Sequence, residues 1–205
     1  MRVTFVADGV SLEGDLHLPA LPAGAAVVCH PHPQYGGDMD NTVVLALTRA
    51  LQDAGWATLR FNFRGVGNST GTHGDGVGEL IDARAAVLYL RERAARPHAT
   101  LAGYSFGAMI ALQSGAHMPT VDRLIAVAPP LGLVDLRSLV GCVKPKLFII
   151  GGRDRFCAVS AFRSVYADLA EPKASVQIPE ADHFFWGADR AIRDAVATFL
   201  RAAPA

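Results

Sequence analysis

The chain has 205 residues, of which 51% are hydrophobic and 19% charged, a balance typical of a globular protein with a substantial core. Lys and Arg together number 19, as do Asp and Glu, so the formal net charge is +0 and argues against nucleic acid or an anionic membrane surface as a partner. The length predicts a single domain over residues 1–205. Three cysteines without C-x-x-C spacing argue against a disulfide framework or a zinc site.

The N-terminal residues carry no hydrophobic stretch of the kind found in a secretory signal peptide. No apolar run reaches the length that spans a bilayer. We therefore expect a cytoplasmic protein without membrane partners.

The predicted elements begin with a hairpin and continue as alternating strands and helices. Alternating apolar residues on either side of Asp8-Gly9 predict the hairpin, over 3–6 and 11–18. Short apolar runs predict strands over 25–29, 57–63, 100–103, 124–128, 147–150 and 175–178. Helical periodicity and helix-ending residues predict helices over 41–54, 78–95, 106–117, 159–169 and 188–202. This order predicts an α/β fold with a mostly parallel eight-stranded sheet, helices on both faces, and a functional crevice beyond the carboxyl ends of the strands.

The segment Gly103-Tyr104-Ser105-Phe106-Gly107 lies between a predicted strand and a predicted helix. In that context the G-x-S-x-G pattern is typical of a sharp turn that exposes a nucleophilic serine. A Cβ atom at either glycine would collide with the closely approaching backbone. The alternative is a glycine-rich turn with an incidental serine. We predict Ser105 as the nucleophile and the Phe106 N–H as a donor to a developing oxyanion.

A serine nucleophile needs a histidine base, which in this architecture follows it in the chain. His117 lies at the far end of the helix that Ser105 begins, about 18 Å away at the rise of a helix. His183 follows the last predicted strand and lies at the correct edge of the sheet. It is the predicted base, with a packed structural histidine as the alternative.

The base in turn needs a carboxylate to orient it. Asp154 directly follows the predicted strand over 147–150 and is the predicted acid, with a turn or capping role as the alternative. Asp135 after the preceding strand is its rival, and Glu180 is a more distant one. Asp122 precedes a predicted strand and therefore lies at the wrong edge.

The loop after the third predicted strand begins His30-Pro31-His32-Pro33-Gln34 and should supply the second oxyanion donor. Because proline has no N–H, the available donors are His32 and Gln34, and His32 is nearer the strand. We predict the backbone N–H of His32. A metal site built on the alternating histidines is the weaker interpretation, because no acidic or cysteine partner has ligand spacing.

The glycine-rich segment 64–71 departs from a dinucleotide-binding fingerprint, because its third glycine is one residue late and the next helix begins only near residue 78. We therefore expect no cofactor and no metal.

Taken together, these residues resemble the α/β-hydrolase fold. The segments His30-Pro31-His32-Pro33, 61–69, 103–107 and 182–185 resemble a group of small capless bacterial α/β hydrolases of the carboxylesterase and dienelactone-hydrolase type. The resemblance implies a serine hydrolase that cleaves small carboxylic esters through an acyl-enzyme intermediate, without a cofactor. The dienelactone hydrolases carry cysteine at the nucleophile, and this chain departs from them at Ser105.

Other functions remain open on this fold: a thioesterase, a small peptidase, or a non-catalytic binding protein. The segment 129–145 leaves room for a short helix but not for a separate cap over the site. We therefore expect an open site and short acyl chains. Tyr35, Phe106 and the aromatic run 184–186 are predicted to line the acyl pocket, with core packing as the alternative for Phe185 and Trp186.

Overall fold

The computed structural model describes residues 1–131 and 137–202, with only the backbone of residues 137 and 138. Its strands are β1 (Arg2–Ala7), β2 (Val10–His17), β3 (Ala25–Cys29), β4 (Ala57–Phe61), β5 (Ala99–Tyr104), β6 (Val121–Val127), β7 (Lys146–Gly151) and β8 (Lys173–Ile178). Its α-helices are α1 (Thr42–Asp53), α2 (Val77–Ala94), α3 (Phe106–His117), α4 (Arg137–Val140), α5 (Val159–Asp168) and α6 (Asp189–Ala202), and a 3₁₀ turn covers Pro33–Tyr35.

The strands form one eight-stranded sheet in the order β1-β2-β4-β3-β5-β6-β7-β8. Strand β2 is antiparallel to both β1 and β4, and every other neighbouring pair is parallel. Helices α1 and α6 pack together on one face, while α2 and α3 pack together on the other. Because both faces are covered, the residues of β3, β5 and β7 are all buried, which explains their continuous apolar runs. The predicted fold class is confirmed.

Several element boundaries differ from those predicted by one to three residues, and two of these differences have a local reason. Strand β4 ends at Phe61 rather than residue 63, because the Phe63 N–H donates to the buried His30 imidazole (3.0 Å) instead of to a neighbouring strand. Strand β6 begins at Val121 rather than residue 124, so Asp122 lies inside the strand, near its amino end, and not before it. The polar pair Asp122-Arg123 interrupts the apolar run, so the run alone indicated a strand that begins at residue 124.

Residues 128–145 separate β6 from β7, and within their described part the only helix is the four-residue α4. This is too short for a separate cap, as predicted. Asp135, the rival acid, lies outside the described residues. None of the helices in 1–131 and 137–202 combines the length and apolar character needed to cross a membrane.

Candidate active site

The turn between β5 and α3 holds Ser105 in a strained backbone conformation with a positive φ, at φ 53° and ψ −118°. Such a conformation costs a non-glycine residue about 1–3 kcal/mol and persists only where the surroundings enforce it. Here the Ser105 N–H donates to the Val127 carbonyl (2.9 Å). A Cβ on Gly103 would overlap the Gly107 carbonyl, and one on Gly107 would overlap the carbonyls of Cys29 and His30. The two glycines therefore let β5, α3 and the end of β3 meet at the serine.

Three predicted side chains form one hydrogen-bonded chain at the carboxyl edge of the sheet. Ser105 Oγ lies 2.9 Å from His183 Nε2, and His183 Nδ1 lies 2.8 Å from Asp154 Oδ2. With Asp154 ionised, the neutral imidazole carries its proton on Nδ1 and donates it to the carboxylate. Nε2 is then left to accept the proton of the Ser105 hydroxyl. Side chains that are 78 and 29 residues apart in the chain are thus arranged for proton transfer.

The carboxylate of Asp154 is buried and fully engaged. Its Oδ1 accepts the N–H groups of Phe156 (2.7 Å) and Cys157 (2.8 Å), while Oδ2 faces His183. Burial by itself raises the pKa of Asp154, but the hydrogen bonds from His183, Cys157 and Phe156 outweigh it and hold the pKa below its ordinary value. The residue is therefore an anion at neutral pH.

The loop that carries His183 is fixed by two contacts that the sequence did not reveal. The Arg153 N–H donates to the Ala181 carbonyl (2.9 Å), which joins this loop to the turn that carries Asp154. A Cβ on Gly151 would lie 2.6 Å from the same carbonyl, so glycine permits this approach. The Tyr104 hydroxyl donates to the His183 carbonyl (2.7 Å), and burial raises the pKa of Tyr104, which keeps it a phenol and a donor.

The loop after β3 is anchored by His30, whose role the sequence analysis did not predict. His30 is fully buried; its Nδ1 lies 2.6 Å from the Pro31 carbonyl, and its Nε2 accepts the Phe63 N–H. Burial lowers the pKa of His30 to about 4, so at neutral pH the ring is uncharged and donates from Nδ1. The imidazole thus holds the loop to the end of β4. In the sequence, a polar residue at the end of a buried strand was the signal that could have indicated this role.

The two predicted oxyanion donors belong to two segments that meet at Gly107, the loop after β3 and the start of α3. Phe106 is the first residue of α3, so its N–H has no partner within the helix. The Gln34 N–H, which was the alternative second donor, is directed at the Nδ1 atom of His32 (3.2 Å). The ring centroids of His32 and Phe106 are 4.8 Å apart, which places the two residues side by side.

The other candidate acids and bases lie elsewhere. Glu180 is exposed and forms an ion pair with Arg153. His117 ends α3, and Asp122 lies near the amino end of β6, the edge opposite Ser105. In the parts of the chain that the structure describes, no group of three or more His, Cys, Asp or Glu residues is arranged to hold a metal ion.

The aromatic residues predicted to line the acyl pocket have different environments. Phe185 and Phe106 are buried, which matches the core alternative for Phe185. Trp186 is 76% exposed, so core packing is wrong for it. Tyr35 and Phe184 are also exposed.

Several known proteins resemble this chain in sequence and in fold. The family model described as serine aminopeptidase, S33, matches residues 22–142. An uncharacterized protein from Rickettsia prowazekii is 36% identical over 172 residues, which cover 80% of this chain and 72% of that protein. An α/β serine hydrolase homologue from Coxiella burnetii is 31% identical, with a TM-score of 0.90 over 99% of this chain and 97% of that one. An α/β serine hydrolase without lid from Xanthomonas campestris is 32% identical, with a TM-score of 0.84 over 99% and 97% of the two chains. The chain therefore belongs to the serine aminopeptidase S33 family and is an α/β hydrolase.

Proposed function

We propose that the protein is a serine hydrolase that cleaves small carboxylic esters through an acyl-enzyme intermediate. The observation that carries the proposal is the hydrogen-bonded chain from Ser105 through His183 to Asp154, with separations of 2.9 and 2.8 Å. Its order along the chain, Ser, then Asp, then His, is that of α/β hydrolases.

In the acylation step, His183 Nε2 takes the hydroxyl proton of Ser105 while Oγ attacks the acyl carbon. The N–H groups of His32 and Phe106 stabilise the resulting oxyanion. His183 then gives its proton to the departing alcohol oxygen. In deacylation the same imidazole activates a water molecule, which releases the carboxylic acid and returns the proton to Ser105. Asp154 remains ionised throughout and stabilises the imidazolium.

The substrate is proposed to be a small, soluble ester. The short connection between β6 and β7 supports this, because the lidless arrangement gives an acyl chain little surface against which to bury. Each buried methylene contributes about 0.8 kcal/mol, so a site of this kind gains little from long chains. No interfacial activation is expected.

The experiment is kcat/KM across p-nitrophenyl esters from acetate to palmitate, with Ser105→Ala as the matched variant. We expect the highest values for short chains and a loss of about 10⁴-fold or more in kcat for the variant, which should fold normally. A fluorophosphonate probe should label the wild type and not the variant. Retention of more than about a tenth of the wild-type rate by the variant would exclude Ser105 as the nucleophile.

The description of the family model also makes an aminopeptidase a second candidate. Such an enzyme needs a carboxylate near the nucleophile to hold the free α-ammonium of its substrate. Asp154 is engaged by His183 and two backbone N–H groups, and Glu180 is paired with Arg153. Asp182, the exposed neighbour of His183, also accepts a backbone N–H, that of Phe184 (2.9 Å). Rates on a matched ester, thioester and aminoacyl amide would separate the three reactions.

A further inference from the structure

We propose that Phe156 and Phe184 form a subsite for an aromatic alcohol group of the ester substrate. This inference rests on the proposed ester hydrolysis and adds the chemical class of the leaving group.

The two phenylalanine rings flank the imidazole of His183. The Phe156 ring centroid lies 4.8 Å from that of His183, with the planes inclined by 52°. The Phe184 centroid lies 5.9 Å away, in an edge-to-face arrangement at 82°. Both residues are largely open to solvent, 64% and 53% exposed. Exposed aromatic rings beside a reactive imidazole therefore offer apolar surface that the protein core does not use.

Both rings are carried on backbone that the site itself holds in place. The Phe156 N–H donates to Asp154 Oδ1 (2.7 Å), the carboxylate that orients His183. The Phe184 N–H donates to Asp182 Oδ1 (2.9 Å), directly beside His183. Because a hydrogen bond holds the backbone of each phenylalanine before any substrate binds, less conformational entropy is lost on binding.

The position of the rings points to the alcohol rather than to the acyl group, which is the group that the sequence assigned to Phe184. His183 must lie within hydrogen-bond reach of the leaving oxygen in order to protonate it. The substituent on that oxygen therefore passes alongside the imidazole and meets Phe156 or Phe184. The N–H groups of His32 and Phe106 hold the carbonyl oxygen and belong to a different part of the site.

The openness of the rings favours a flat substituent. A flexible alkyl chain gains most from an enclosing pocket, whereas an aryl ring gains from a single exposed ring by stacking on its face or meeting its edge. Such a pair is expected to favour an aryl over an alicyclic alcohol of equal size by roughly threefold to tenfold.

The test compares benzyl acetate with cyclohexylmethyl acetate, each kcat/KM being divided by the ester's rate of alkaline hydrolysis. The two esters share the acyl group and differ in whether the six-membered ring is flat. We expect the wild type to prefer the benzyl ester by about threefold or more, and Phe156→Leu and Phe184→Leu each to lower that preference. Trp186→Leu, which alters an exposed aromatic residue on the same segment, should leave the preference unchanged. Circular dichroism of each variant checks the fold.

Three outcomes would overturn the subsite: no benzyl preference in the wild type, equal losses on both esters in the Phe variants, or a change in the ratio of benzyl acetate to benzyl butyrate instead. The last result would place the rings on the acyl side. Failure of the proposed function is distinct. It would appear as no hydrolysis of any ester, or as undiminished hydrolysis by Ser105→Ala, and would remove the subsite together with the function.

Discussion

Polar side chains occur at both edges of the sheet, and the two edges use them in opposite ways. The chain has three lysines, Lys144, Lys146 and Lys173. All three lie at the amino edge, the side of the sheet where the parallel strands begin. Each ammonium group donates to backbone carbonyls. At the carboxyl edge the side chains bond to one another, and the chain of bonds ends at the Ser105 hydroxyl. The lysines of the amino edge are therefore structural, whereas the carboxyl edge presents one reactive atom to a substrate.

The carbonyls at the amino edge explain why lysine occurs there. Lys144 Nζ donates to the carbonyls of Gly115 and Met118 at the end of α3, and Lys173 Nζ does the same for Tyr166 and Leu169 at the end of α5. The last carbonyls of a helix have no partner within it and carry partial negative charge, which a cation satisfies. A flexible ammonium group can reach several such carbonyls at once.

The largest effect should come from breaking the carboxyl edge at Asp154. In Asp154→Asn the amide can no longer hold His183 in the tautomer that accepts from Ser105, so kcat/KM should fall by about 10⁴-fold. The control is Glu180→Gln, an exposed carboxylate on a neighbouring loop, which should change kcat/KM by less than about threefold. Ester hydrolysis measured for both variants checks this. If Glu180→Gln were the more damaging change, the acid would be misassigned, and Asp135→Asn tests the remaining rival.

His30 lies at the carboxyl edge, yet it resembles the lysines of the amino edge. Both of its ring nitrogens are hydrogen-bonded to backbone groups. Its pKa is about 4 in the folded protein, against 6.5 for an ordinary histidine. Between these values the unfolded chain binds a proton that the folded protein does not, so stability rises with pH across this window. The contribution is complete above pH 6.5 and is lost as the pH falls to about 4, roughly 3 kcal/mol in all.

His30→Gln keeps one donor and one acceptor but removes the titration. The free energy of unfolding, measured in urea at several pH values from 7.5 to 4, should therefore fall less steeply for the variant than for the wild type. Parallel curves would contradict a neutral buried imidazole at this position.

The third prediction concerns the hydrogen bonds of Lys146 at the amino edge. Lys146 is fully buried, and its Nζ donates to the carbonyls of Cys142 (2.7 Å) and Ala170 (2.9 Å). Lys146→Met leaves both acceptors without this donor, which should cost about 2 kcal/mol of stability. The kcat of the folded variant should stay at the wild-type value. Arg190→Met, whose side chain is 94% exposed, is the control and should shift stability by less than about 0.5 kcal/mol. A loss of kcat without a loss of stability would show that the two edges are not independent.

The difference between the edges also separates what the sequence could predict from what it could not. The strands and the turn at Ser105 depend on local signals, namely apolar runs, glycines and helix starts. The Lys144 bonds to Gly115 and Met118, the His30 bond to Phe63 and the approach of Gly151 to Ala181 join residues that are distant in the chain, and no local pattern marks them. Burial within the aromatic run 184–186 was undetermined for the same reason, since only the packed fold decides that Phe185 turns inward.

The smallest expected effect concerns the hydrogen bond between the Tyr104 hydroxyl and the His183 carbonyl. It tests whether this structural bond helps to position the imidazole that accepts the Ser105 proton. Tyr104→Phe removes only the hydroxyl that holds the His183 carbonyl, 2.7 Å away. Without it the loop should position the imidazole less accurately, so kcat should fall by up to about tenfold while KM changes little. Tyr166→Phe is the matched control, because it removes a hydroxyl that interacts with Ser175, on β8 rather than in the loop that carries His183. Both variants should lose about 1 kcal/mol of stability, and only Tyr104→Phe should lose kcat. If both variants lost the same stability and kept the wild-type kcat, the Tyr104 bond would be purely structural. It would then resemble the bonds of the three lysines, which stabilise the fold without affecting catalysis.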